Sequence, residues 1–237
     1  MGATELSQIR NRLLALLPPI ELEKVGSALS PIELPKGFVI VKPDQPIDFV
    51  YFPTSGIGSV VTVSPEGHRA EAGMFGREGF SPTPAGVGGN ISIHEVVIQV
   101  EGAGYRISFA ELTSVLAGCP VLANLLARFI HAFGSQISFT ALSNAVHNID
   151  ERLARWLLMC HDRVDGNEIL LTHEFISLML AVRRPSVTTA LHILEGKKLI
   201  RAERGRISVR DRAGLESFAG DVYGKPEEEY RRLIGEL

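Results

Sequence analysis

Cysteine is scarce in this chain: Cys119 and Cys160 are the two in 237 residues. Their separation matches no zinc-ligand spacing, and one such pair is no disulfide framework. A disulfide-stapled secreted domain is excluded, and a reducing cytoplasm is the expected compartment. No stretch reaches the roughly 18 consecutive apolar residues that a membrane span requires. The N-terminal MGATELSQIRNRLLALLPP lacks the apolar core and small-residue cleavage site of a secretory signal. No membrane partner is expected, and the sequon Asn90-Ile91-Ser92 carries no weight. Also missing are a nucleophile elbow, an HExxH pair, a P-loop and paired carboxylates in a plausible pocket. The expectation is a protein that is not an enzyme and carries no metal or other cofactor. Disorder is excluded too, because 45% of residues are hydrophobic and 22% charged, an ordinary globular balance.

The net charge is only −3, which would count against nucleic acid, but the charge is unevenly spread. Residues 1–150 hold 9 Lys and Arg against 13 Asp and Glu; residues 151–212 hold 12 against 8; residues 213–237 hold 3 against 6. One basic segment lies between acidic flanks, and this asymmetry says more about partners than the total does.

Residues 5–29 read as one helix or two short ones. From about 31 to 108, short β-rich runs such as FVIVKPDQP, FVYFPTSGIGSVVTVSPEG and HEVVIQVEGAGYRIS alternate with Gly, Pro, Asp and Asn. Closely spaced strands with turn signals predict an antiparallel sandwich or barrel, and Ser81 to Asn90 reads as a loop. From Phe109 to about Val146 the pattern is helical, with Cys119-Pro120 as a helix start. Leu122, Leu126, Phe129 and Phe133 follow at spacings of 4, 3 and 4, a heptad-like seam. It predicts either a core helix or, the reading preferred, a dimer helix. A second helix is predicted from Ile149 to Arg163, and the acidic tail PEEEY reads as a solvated helix.

The segment after Leu171 carries the most specific pattern. Thr172 is placed to cap a helix from His173 to about Leu180, with Glu174 in its first turn. A turn at Ala181-Val182-Arg183 leads to a second helix, about Arg184 to Lys197, with Pro185 in its first turn. A hairpin turning at Arg204-Gly205-Arg206 follows. Helix, turn, helix and basic hairpin is the layout of a winged helix-turn-helix. On a 3.6-residue period Val187, Ala190, Leu191 and Leu194 face a core, while Arg184, Thr188 and His192 lie opposite, beside Pro185 and Thr189. An exposed arginine opposes the helix dipole there, which suggests a use outside the helix. Arginine reads guanine bidentately, and small hydroxyl residues meet base edges or thymine methyls. Arg184, Ser186, Thr188 and Thr189 are therefore the candidate base-reading residues. Thr172, His173, Arg183, Lys197, Lys198, Arg201, Arg204 and Arg206 are the candidate phosphate contacts, supplying affinity without sequence information.

Over nearly its whole length the sequence resembles the Crp/Fnr family of bacterial transcription regulators. The strongest match is LTHEFISLMLAVRRPSVTTALHILEGKKLIRAERGRISVR (Leu171–Arg210). ERLARWLL (Glu151–Leu158) looks like the link to the family's DNA-binding domain, and FVYFPTSGIGSVV with FGREGF looks like its cyclic-nucleotide-binding β-roll. The resemblance implies an α+β chain: an antiparallel β-roll with a long dimerisation helix (about 110–146) in residues 1–147, then a winged helix-turn-helix domain in 148–237. It implies a cytoplasmic homodimer on a near-palindromic double-stranded operator, with RNA polymerase a candidate further partner.

By position, Arg184 matches the family's guanine-reading arginine and Thr189 a frequent second base reader, while Pro185 replaces a base-reading glutamate. Ala181 stands where a turn glycine is usual. The sensor departs further. Gly76, Arg77, Glu78 and Gly79 keep the outline of the family's Gly-Glu loop, but Ser92 and Ile93 stand where cyclic AMP binders carry Arg-Ser. These six are the candidate effector pocket, and tight cyclic AMP binding is not expected. The family's iron–sulfur cysteine cluster is absent. His68 and His94 lie in or near the roll as candidate haem ligands, with plain surface positions the simpler expectation. The effector is unassigned, and the alternative reading is a small-ligand module with a vestigial DNA domain.

Overall fold

The structure, a computed structural model, describes residues 9–236. The expected N-terminal helical stretch begins at residues 5–8, outside the described residues, and continues as α1 (Arg12–Ala15) and α2 (Pro19–Ala28). Nine strands follow: β1 (Ser30–Leu34), β2 (Val39–Val41), β3 (Gln45–Pro46), β4 (Phe49–Pro53), β5 (Ile57–Val63), β6 (Arg69–Phe75), β7 (Ile91–Ser92), β8 (Glu95–Val100) and β9 (Gly102–Ser108). Every pairing is antiparallel, in sheets ordered β1-β9-β4, β2-β8-β5-β6 and β3-β7. The expected loop from Ser81 to Asn90 contains a short 3-10 turn, Thr83–Val87.

The long apolar stretch forms two helices, α3 (Phe109–Leu116) and α4 (Pro120–Val146), bent by 116° at the break. A capping box of Ser108 and Glu111 starts α3. Cys119 offers α4 no side-chain cap. Glu21 of α2 does so instead, accepting from the backbone N–H groups of Val121 and Leu122 at 3.0 and 2.9 Å, and its charge complements the helix dipole. Among the described residues, no single helix is long and apolar enough to cross a membrane.

The structure corrects the expected dimer seam. Leu122, Leu126, Phe129 and Phe133 are buried, and they face the roll of their own chain. Rings of Phe52, Phe80, Phe129 and Phe133 run in series with centroids 5.9, 5.4 and 6.0 Å apart. A 4-3-4 spacing marks one face of a helix and is silent on whether the matching surface lies in the same chain. The opposite face carries its own heptad: Ala127, His131, Gly134, Ser138, Ala141 and Ala145, all exposed.

The C-terminal half begins with α5 (Ile149–His161). It continues through β10 (Glu168–Ile169), α6 (His173–Met179), α7 (Arg184–Gly196), β11 (Ile200–Glu203), β12 (Arg206–Val209), α8 (Arg212–Ala219) and α9 (Lys225–Leu233). Thr172 caps α6 through the Phe175 N–H, and β10-β12-β11 form a small sheet. The amphipathic α7 buries Val187, Ala190, Leu191 and Leu194, and Gly205 takes a positive φ of 75° at the hairpin turn.

This half packs on the outer face of the roll. Ile57, Val61 and Met74 share a core with Trp156, Leu157 and Cys160. Arg163 Nε donates to Glu78 across the contact at 2.8 Å, both side chains being 5% exposed or less. The tail departs from expectation. α9 lies along α4 and buries Pro226, Glu227 and Tyr230, and the Tyr230 hydroxyl donates to the Glu78 carbonyl at 2.7 Å. Only Tyr230 is apolar in PEEEY, so the composition concealed a helix anchored by its two ends and one ring.

Ala181, between α6 and α7, has φ +52°, a conformation costly for a residue with a Cβ. Ala181→Gly is therefore expected to raise stability by about 0.5–1 kcal/mol, measured as a higher urea midpoint with unchanged slope.

Candidate nucleic-acid interface

The residues singled out for base reading lie on the first turns of α7. Arg183 is its N-cap and gives no side-chain cap, and Pro185 sits in the first turn where no N–H is needed. Arg184, Pro185 and Thr189 are exposed, and Ser186 and Thr188 partly so. The Thr188 and Thr189 hydroxyls donate back to the carbonyls of Arg184 and Pro185 at 3.3 and 3.1 Å. With their hydrogens committed, these side chains present acceptor oxygens and methyls outward. His173 meets Thr188 at 3.2 Å, tying α6 to the same surface.

Arg184 is ion-paired with Glu174 of α6. The sequence showed Glu174 as a first-turn acid, but not that the turn would swing it onto Arg184. Both side chains are more than half exposed, so the pair is weak and exchangeable.

Beside α7 a groove of about 760 Å³ runs to the β11–β12 wing, bounded by His173, His192, Glu195 and Arg204 among others. Of the candidate phosphate contacts, Thr172, His173 and Arg204 are brought together here. Arg183 lies at the other side of the turn, in a second hollow of about 730 Å³ with His68, Glu174 and Arg184. Lys197 and Lys198 end α7, some 20 Å from Arg184 along a 13-residue helix. Lys197 lies over the Phe218 ring at 5.3 Å. Arg201 pairs with Glu203 and Arg206 with Glu168, at 2.7 and 3.3 Å. The acidic neighbours Glu195 and Glu203 were not singled out. Glu195 is structural, accepting from the Ala202 N–H at 3.0 Å and so fixing the wing against α7.

The candidate effector residues are not brought to one cavity. Gly76–Gly79 turns toward the C-terminal half: Glu78 meets Arg163, and Arg77 donates to Asp165 at 2.7 Å, where Arg10 also donates at 2.6 Å. The two guanidiniums hold the Asp165 carboxyl below its ordinary pKa. Ser92 is engaged locally, its hydroxyl donating to the His94 carbonyl at 2.9 Å, and Ile93 is 68% exposed. The Phe129 and Phe80 rings pack closely on two loop glycines: a Cβ on Gly79 would meet the Phe129 ring at 2.1 Å, and one on Gly86 the Phe80 ring at 2.6 Å. His68 sits on the β5–β6 turn against Glu66, and no group of three metal-ligating side chains forms among the described residues.

Residues 151–218 match the family model described as the Crp-like helix-turn-helix domain. No curated protein is significantly similar in sequence. Among solved structures, FixK2 from Bradyrhizobium japonicum is similar with a TM-score of 0.66 at 17% identity, over 80% of this chain and 96% of that one. A transcriptional regulator of the CRP family from Thermus thermophilus gives 0.61 at 19%, over 80% and 97%. The c-di-GMP responsive global regulator CLP of Xanthomonas campestris gives 0.58 at 16%, over 81% and 99%. The chain thus has the fold of the Crp/Fnr regulators, and its residues 151–218 form a Crp-like helix-turn-helix domain.

Proposed function

We propose that the protein is a cytoplasmic, sequence-specific DNA-binding transcription regulator of the Crp/Fnr type. It acts as a homodimer whose α7 helices enter successive major grooves of a near-palindromic operator. The observation that carries this reading is the outward face of α7: Arg184, Ser186, Thr188 and Thr189 on two exposed turns, beside a groove that ends at the basic wing tip. Arg184 leaves Glu174 to read guanine, and Glu174 then repels misplaced phosphates. The threonines offer acceptors to adenine or cytosine amino groups and methyls to thymine. Thr172, His173, Arg183, Arg204 and Arg206 contact phosphates, with Lys197, Lys198 and Arg201 adding field at the far end of the helix. RNA polymerase is the natural further partner of an activator of this type.

Dimerisation is assigned to the outer face of α4. Its six small or polar positions keep the 4-3 alternation of a two-helix seam over about 27 Å of helix. The 27-residue helix carries one charged side chain, Arg128, an unusual composition for a face left in water. Ala, Gly and Ser there let a second α4 approach closely. Ala141→Glu is expected to shift the protein to monomer in light scattering and weaken operator binding. An unchanged mass would move the interface elsewhere.

The roll is read as degenerate. The candidate effector residues are not gathered at one cavity, and Ser92 stands where the resemblance puts the arginine that meets the phosphate, with the apolar Ile93 in place of the serine after it. Saturating cyclic AMP is expected to leave the melting temperature unchanged, whereas a true ligand at 100 times its Kd adds about 2.7 kcal/mol. The direct test of function is selection of genomic fragments at near-physiological salt. Wild type is expected to enrich a near-palindrome with half-sites about one helical turn apart. Arg184→Ala is expected to lose about 1–3 kcal/mol per half-site and retain weak, salt-sensitive binding. Equal enrichment by the variant would overturn the assignment of α7.

A further inference from the structure

The contact between the roll and the C-terminal half contains a buried hydrogen-bond chain that none of the roles above uses. Glu71 of β6 is buried. Its Oε1 accepts from the indole N–H of Trp156 on α5 at 2.7 Å, and its Oε2 lies against the Ser59 hydroxyl of β5. That hydroxyl also faces Gln99 Oε1 of β8 at 2.8 Å, and the Gln99 amide N–H points to Cys160 Sγ on α5 at 3.8 Å.

The hydrogens in this chain can be counted. Ser59 has one to give. If Glu71 is ionised, Ser59 must give it to the carboxylate, and Gln99 Oε1 then faces an oxygen with no hydrogen between them. If Glu71 is protonated, its O–H donates to Ser59, Ser59 donates to Gln99, Gln99 donates to Cys160, and every group is satisfied. The amide orientation found here closes the chain only with a proton on Glu71.

The arginines near Glu71 hydrogen-bond to other groups, and the charges of Arg163 and Arg155 lower its pKa against the larger effect of burial. From α5, Arg155 is spent on the Val222 and Gln136 carbonyls and the Thr140 hydroxyl. Arg152 donates to the Leu180 carbonyl while its Nε has no partner, and Arg163 donates to Glu78 and the Met159 carbonyl. α4 presents Gln136, Thr140 and Ser143 toward this region and α6 presents Met179, none of them ionisable. Asp162 and Glu227 lie behind the arginines and add negative charge. Burial raises the Cys160 thiol well above its ordinary range, so it keeps its hydrogen. Glu71 has no cation of its own.

We propose that Glu71 is a proton-operated latch between the roll and the winged domain: protonated, it closes the chain to Trp156 and Cys160 and holds the two halves together; deprotonated, it opens the chain and loosens the contact. Burial pushes the Glu71 pKa up to about 7, outweighing the hydrogen bonds from Ser59 and Trp156 and the charges of Arg163 and Arg155. Because the docked pKa lies above that of a free carboxyl, the latch is fully present below about pH 4.3. It weakens roughly tenfold per pH unit until the docked group itself ionises near 7.

Trp156 is the one tryptophan in the chain, so its emission reports this bond alone. The experiment is emission and acrylamide quenching of the full chain from about pH 5 to 9. Wild type is expected to show a one-proton transition near 7, with quenching stronger on the alkaline side. Glu71→Gln places an amide where the protonated carboxyl was. It is expected to hold the low-pH emission and weak quenching throughout, with every histidine still in place. Ser59→Ala, which keeps the acid and removes its neighbour, is expected to move the midpoint. A transition that persists in Glu71→Gln, a wild type flat over the whole range, or a midpoint unmoved by Ser59→Ala would each overturn the latch. Infrared difference spectra of wild type give a reading that needs no variant: the protonated-carboxyl stretch is lost across the same transition, and its absence at low pH would also refute the proposal.

Discussion

Arg163, with 5% of its side chain exposed, is met by a carboxylate from the other half of the chain. Breaking such a pair from one side leaves a buried charge and costs about 3–5 kcal/mol. Much of the architecture follows from keeping it. Glu78 stays in place because the Gly76 N–H donates to it at 3.1 Å and Tyr230 of α9 donates to its carbonyl. Arg163 is held by the Met159 carbonyl as well. The short loop after β6 thereby orients α5, and α5 carries the whole winged segment.

The long helix shows where sequence reasoning reaches and where it stops. The amphipathic period of Leu122, Leu126, Phe129 and Phe133 located the helix and one of its faces. It could not say what covers that face, because apolar burial is non-directional and a roll of the same chain serves as well as a partner. The other face carries a period of its own, in residues too bland to attract notice. Ala127, Gly134, Ser138, Ala141 and Ala145 repeat with the same period, and no charge interrupts them.

The winged segment was legible because its cues are local. Thr172 caps three residues ahead, Pro185 falls where a helix starts, Gly205 turns the wing, and the apolar stripe of α7 has the helical period. The family resemblance put Ala181 where a turn glycine is usual, and its φ is +52°. What stayed hidden is non-local. Glu174 reaches Arg184 only once the turn is made, and Tyr230 reaches Glu78 across 152 residues. Glu71 is one acid in a β-strand until Trp156, 85 residues away, supplies its indole N–H. Composition weighs each of these side chains as solvated; only their partners show otherwise.

Two glutamates seven positions apart, on β6 and in the loop that follows it, thus hold the winged domain by opposite electrostatics. Glu78 meets a cation and binds as an ion pair, so its contribution needs the negative charge. Glu71 meets an indole and a hydroxyl, and its contribution needs the proton. In this pair of acids the fold has a means of changing how firmly its helix-turn-helix half is held.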